Sequence, residues 1–108
     1  MSTLSSHVLD TSTGRPAVGV VLTLTAWDGT VLGEVTTDAD GRAREVGPQV
    51  LPVGDYRLRF ATGAWFAAAG RTGFYPEAVV AFTVSAVAEH YHVPVLLSPY
   101  GWSTYRGS

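Results

Sequence analysis

The chain has 108 residues, no cysteine, and a formal charge of −2 from seven arginines and nine acids. This excludes disulfides, thiol nucleophiles and cysteine-based zinc sites, and scattered arginines offer no basic stripe for nucleic acid. Charged residues make up 15% against about 25% in a typical domain, a shortfall that predicts surface covered by further copies of the chain.

At the N-terminus, Met1-Ser2-Thr3-Leu4-Ser5-Ser6 has no basic start followed by an apolar stretch, so no signal peptide is expected. No apolar run approaches the ~20 residues of a membrane span. The expectation is a soluble, cytoplasmic protein forming a single domain over residues 1–108.

Turn signals then recur at short intervals: Thr13-Gly14, Asp28-Gly29, Asp40-Gly41, Pro52-Val53-Gly54, Thr72-Gly73 and Ser98-Pro99. Runs rich in Val, Thr, Leu and aromatics lie between them, which is how an all-β sandwich reads. Expected strands are 5–10, 18–27, 31–37, 42–46, 55–61, 78–86, 89–97 and 102–106. Trp27-Asp28-Gly29-Thr30 is a hairpin by its Asp-Gly pair. Residues 62–70 interrupt the pattern as an Ala-rich helix, with Thr62 the expected N-cap and Gly70 the stop. About two turns long, it needs tertiary contacts to persist.

Three histidines carry the candidate chemistry. Side chains two apart in a strand share a face, so His90, His92, Pro94 and Leu96 point one way and Tyr91, Val93 and Val95 the other. The second set is apolar and is assigned to the core. In the first strand Val8 joins that core, which leaves His7 and Leu9 outward. An outer face mixing histidine with leucine reads as the wall of a cleft between subunits, and imidazole can take and return a proton near neutral pH. His-x-His on a strand is also a zinc geometry when further ligands join it, with His7 or Glu89 available here. Arg42 and Arg44 face alike after the Asp40-Gly41 turn, and either could present a planar fork of donors. No Gly-x-Ser-x-Gly and no Gly-rich phosphate loop is present.

The end of the chain is its most specific part. Tyr91-His92-Val93-Pro94-Val95-Leu96-Leu97-Ser98-Pro99, followed by Ser103-Thr104-Tyr105-Arg106-Gly107-Ser108, resembles the closing signature of the 5-hydroxyisourate hydrolases, transthyretin-like enzymes of urate breakdown. Val95 replaces a usual Leu and Trp102 a usual Tyr. Ser6-His7-Val8-Leu9-Asp10 resembles the family's Thr-His-Val-Leu-Asp, and the likeness runs from Ser5 to Ser108.

The resemblance implies a transthyretin-like β-sandwich of two four-stranded sheets, with one short helix between the fifth and sixth strands. It implies a homotetramer built as a dimer of dimers. It also implies hydrolysis of 5-hydroxyisourate, a small-molecule substrate, to 2-oxo-4-hydroxy-4-carboxy-5-ureidoimidazoline on the way to allantoin, with no cofactor and no metal. By the same likeness His7, Arg42, His92 and Ser108 are the catalytic set and Tyr105, Arg106 and Gly107 bind substrate, which favours Arg42 over Arg44. Gly107 is expected to take backbone angles that turn Ser108, with its hydroxyl and carboxylate, toward the ligand. Which histidine is the base stays open between His7 and His92. No nucleophile with an adjacent base is legible, so direct attack by water is expected.

Two other readings compete. A transthyretin-like carrier would use the same cleft without chemistry, and carriers of that type lack the Tyr-Arg-Gly-Ser ending and the paired histidines. A purely structural prealbumin-like module would leave that ending unexplained.

Overall fold

The period-2 runs fold as strands in the computed structural model, which describes residues 4–108. In chain order they are β1 (Leu4–Asp10), β2 (Arg15–Pro16), β3 (Val21–Ala26), β4 (Val31–Thr36), β5 (Arg42–Ala43), β6 (Gly54–Phe60), helix α1 (Thr62–Ala68), β7 (Ala78–Val84), β8 (Tyr91–Ser98) and β9 (Gly101–Thr104). One sheet has the order β4-β3-β6-β7. The other runs β2-β1-β8-β9, with β5 also paired to β1. The chain is thus an all-β sandwich with a single short helix, the arrangement the resemblance implies.

The second sheet has five strands where four were expected. The extra one is β2, whose two residues pair with Leu9 and Asp10. Two residues carry no period, so sequence could not mark it. The expected strand at 42–46 shrinks for a related reason: only Arg42 and Ala43 pair with β1, opposite His7 and Ser6. The expected strand at 18–27 starts later, because Val18 and Gly19 belong to a turn.

Between the sheets lies one apolar core. β1 and β8 contribute Leu4, Val8, Tyr91, Val93, Val95 and Leu97, and β3, β6 and β7 contribute Leu22, Leu24, Leu58, Phe60, Val80 and Val84. Each fully buried leucine or phenylalanine there adds roughly 2 kcal/mol of apolar transfer. Leu22 and Leu24 share the inward face. The pairing of β3 with β4 slips after Leu24, and this bulge turns Thr25 inward beside it.

Helix α1 begins differently from the expectation. Ala61 is its N-cap and no side chain caps it, while the Thr62 hydroxyl is buried without a partner among the described residues. The stop is as expected. Gly70 has φ +70°, and Arg71 N–H bonds to the Phe66 carbonyl at 2.8 Å while Gly70 N–H bonds to Ala67 at 3.0 Å. That pair of bonds is a Schellman motif, which satisfies carbonyls the last turn leaves open. Arg71 then reaches Asp10 at 2.8 Å and lies over the Phe66 ring, tying the helix to the end of β1.

Candidate active site

The parallel pairing of β1 with β8 creates the site. It sets Ser5 beside His92 and His7 beside Pro94, so the outward residues of two distant segments form one surface. Alternation along both strands is as the sequence indicates: Ser5, His7 and Leu9 are half-buried and face out with His92 and Leu96. Pro94 is buried although it sits on that outer face.

A pocket of about 280 Å³ opens on this surface, lined by Ser5, Ser6, Arg42, Arg44, His90, His92 and Ser108. The size is at the small end of ligand pockets, ~300–1,000 Å³, and suits a compact polar ring. Of the four expected catalytic residues, Arg42, His92 and Ser108 line it. His7 shares the face one step along β1, outside the lining, and is close enough that its charge would oppose a charge on His92.

Arg42 is placed by the turn before it. The Asp38 carboxylate accepts from the N–H groups of Asp40 and Arg42 at 2.9 and 3.0 Å, and Asp38 N–H bonds to the Arg42 carbonyl at 2.9 Å. The bond from Arg42 N–H leads the causes that hold the Asp38 carboxyl below its ordinary range. Arg44 turns to the same loop, with Asp38 at 3.6 Å and Asp40 at 3.4 Å. Among the described residues, the Arg42 guanidinium makes no hydrogen bond or ion pair. Two arginines that only the family resemblance separated in the sequence are therefore different: one is occupied by acids at the rim, the other is available to a ligand.

His92 is held by Ser5 and Gly107. Its Nδ1 lies 2.8 Å from Ser5 Oγ, and Ser5 Oγ also lies 2.8 Å from His90 Nε2. On the opposite edge, Gly107 N–H bonds to the His92 carbonyl at 2.8 Å, and the two form an isolated bridge. A Cβ on Gly107 would collide with His92 Cδ2 and lie 3.1 Å from Cγ. Gly107 was expected to supply unusual backbone angles, but its φ is not among the positive ones. The glycine is required because an imidazole occupies the space of its side chain. Burial, then the nearby charges of Arg42, His7 and His90, push the His92 pKa below its ordinary 6.5. The ring is accordingly neutral at pH 7, the form that accepts a proton.

The other tail residues sit elsewhere. Arg106 bonds to Glu89 at 3.2 Å and lies over the Tyr91 ring. With Tyr105 it lines a second hollow of about 310 Å³ that includes Val80, Phe82 and the far side of His92. Glu89, one suggested metal ligand, is engaged by Tyr91 and Arg106. Among the described residues, no group of three or more His, Asp or Glu is placed to hold a metal ion. Sequence reasoning missed Ser5 and Ser6. Ser6 is buried and donates to the Val93 carbonyl at 2.6 Å. The signal for Ser5 was available, because it lies two residues before His7 and shares its face.

The chain is similar to known proteins over its full length. The HIUase/Transthyretin family model matches residues 4–107. A curated relative from Caulobacter vibrioides, named 5-hydroxyisourate hydrolase, is 49% identical over all of both chains. Klebsiella pneumoniae 5-hydroxyisourate hydrolase has a similar solved structure, with TM-score 0.92 and 47% identity over all of both chains. Transthyretin from Sparus aurata is similar too, at TM-score 0.90 and 32% identity over 99% of this chain and 97% of that one.

Proposed function

The chain belongs to the HIUase/Transthyretin family, and we propose that it is the hydrolase of that family, opening 5-hydroxyisourate with water in urate degradation. One observation carries the choice over a carrier: a neutral imidazole and an arginine free of ion pairs line the same small polar pocket. A carrier gains nothing from a general base, whereas hydrolysis of a cyclic amide requires one.

In this reading His92 Nε2 takes a proton from a water, and the oxygen adds to the ring carbonyl. Arg42 holds the planar substrate and stabilises the oxyanion with two parallel N–H donors. The ring C–N bond then breaks and the nitrogen leaves with the proton from His92. The products are one carboxyl group and one N–H, so the atoms of water are accounted for. Ser108 closes the pocket, and His7 tunes His92 from beside it. Tyr105 and Arg106, rather than touching substrate first, anchor the segment that carries Gly107 and Ser108.

The reading takes residues 1–108 as one catalytic domain acting on a dissolved substrate in the cytoplasm. No described helix is long and apolar enough to cross a membrane. It also takes the active form to be a homotetramer. Val18, Phe74, Tyr75, Tyr100 and Tyr105 are exposed, and β7 and β9 each have a partner on one side only, both features that assembly would cover.

The direct test adds the purified protein to freshly generated 5-hydroxyisourate and follows its ultraviolet absorbance. Decay well above the spontaneous rate is expected. Decay at the spontaneous rate, with thyroid hormone-like or other ring ligands still bound, would favour the carrier.

A further inference from the structure

The hydrogen-bonded row His92–Ser5–His90 lies beside the reaction and has no role in the steps above. Ser5 Oγ is 2.8 Å from His92 Nδ1 and 2.8 Å from His90 Nε2. A hydroxyl has one hydrogen to give, so the row has a direction. Either Ser5 donates to His92, or His92 donates to Ser5, whose own hydrogen is then free for His90 or another acceptor.

The two directions have opposite chemical meaning. If Ser5 donates to Nδ1, neutral His92 must carry its own hydrogen on Nε2 and cannot act there as a base. If Nδ1–H donates to Ser5, Nε2 has a free lone pair. The role of His92 as a base separates them: Nε2 is bare only when the ring hydrogen sits on Nδ1, the nitrogen 2.8 Å from Ser5 Oγ. The proton therefore belongs on Nδ1, and the Ser5 hydroxyl, having accepted from it, is free to donate to His90.

We infer that Ser5, backed by His90, is a positioning residue that fixes His92 as its Nδ1–H tautomer, with Nε2 as the basic nitrogen. Ser5 touches no reacting atom and acts through the imidazole, as the partner of a catalytic histidine fixes its tautomer elsewhere. Gly107 completes the arrangement by packing against the Cδ2 edge, so the ring can neither flip nor slide. His90 lies on the exposed side and supplies the acceptor that keeps the Ser5 hydrogen turned away from Nδ1. This inference rests on the hydrolase reading, which needs a basic Nε2, and the tautomer is tested apart from turnover.

The test has two arms that fail separately. Imidazole nitrogens of the ¹⁵N-labelled full chain are recorded by NMR above the His92 pKa, with the His92 signals identified by their loss in His92→Gln. The neutral ring is expected to show Nδ1 protonated and Nε2 bare. In Ser5→Ala the Nε2–H tautomer should grow in, with kcat lower by roughly tenfold, the cost of about one hydrogen bond, and KM changed by less than about twofold. Ser5→Thr, which keeps the hydroxyl, should recover most of kcat and the wild-type tautomer. His90→Phe should shift the tautomer in the same sense as Ser5→Ala. An Nε2–H tautomer in the unaltered protein overturns the inference, as does Ser5→Ala with unaltered tautomer and kcat. Should the unaltered protein hydrolyse nothing, the hydrolase reading falls while the NMR arm still decides the role of Ser5.

Discussion

At residue scale the site depends on which side chains remain unoccupied. His92→Asn removes the proposed base and should lower kcat by about 10²–10⁴-fold with little change in Tm, because the ring is half-buried on the outer face. Arg42→Lys should be damaging, since an ammonium cannot reproduce a two-pronged contact. Arg44→Lys should be mild, because Arg44 is exposed and paired with Asp38 and Asp40. A pH series provides an independent check. Burial and neighbouring positive charge hold the His92 pKa below 6.5, so the basic form persists into mildly acidic buffer. kcat/KM should be flat around neutrality and fall with a slope of one only once pH drops below that lowered value. A profile that already falls between pH 7 and 6.5 would remove His92 as the base. Gly107→Ala should cost activity through a displaced imidazole and leave the melting temperature nearly unchanged, which separates a site defect from a folding defect.

At the scale of elements, what sequence could reveal depended on length. β1, β6 and β8 alternate over seven or eight residues, and their existence was legible, as were the faces of β1 and β8. So was the Asp28-Gly29 hairpin, which closes with the Asp28 carboxylate accepting from Thr30 N–H at 2.9 Å. The two-residue strands β2 and β5 exist only because β1 is there to pair with, a cause invisible in their own residues. The site divides the same way. His92 and Arg42 were reachable through motif and alternation, whereas the Ser5 bridge depends on parallel register between segments 87 positions apart. The Asp10–Arg71 tie was likewise unforeseen, and it yields a stability prediction. Burial of Asp10 opposes its charge, but hydrogen bonds from Arg71 and Ser12 outweigh that cost and lower its pKa from 3.8 to about 2. A depressed carboxyl contributes stability that is complete above 3.8 and lost as pH falls through about 2. The contribution is about 2 kcal/mol. Asp10→Asn should therefore lower Tm by roughly 5–15 °C at pH 7 and by much less at pH 2. An equal loss at both pH values would mean that the tie works through packing rather than charge.

At the scale of the whole molecule, fold and function separate. Sparus aurata transthyretin matches nearly as well in shape as the Klebsiella pneumoniae hydrolase, so shape alone does not choose between carrier and enzyme. The difference must lie in the groups that converge on the pocket, and apart from Arg42 and Arg44 those come from the two ends of the sequence: Ser5 and Ser6 near one, His90, His92 and Ser108 near the other. That placement makes the tail the most sensitive point. Residues appended after Ser108 would start from a pocket-lining residue, whereas the same residues placed before Met1 would join the chain outside the described residues. A C-terminal tag should thus give a folded protein with turnover reduced at least ~100-fold, the order expected when acid-base groups lose access to substrate. An N-terminal tag should leave turnover close to that of the untagged chain. Deleting Tyr105 to Ser108 removes the Gly107 contact as well as Ser108 and should be as damaging as the C-terminal tag or more so. Sedimentation of all three proteins then distinguishes a blocked site from a lost assembly. A tetramer that is inactive only when the C-terminus is altered supports closure of the pocket by the tail. Equal activity in both tagged forms would show that Ser108 is a docked end and that His92 and Arg42 suffice without it.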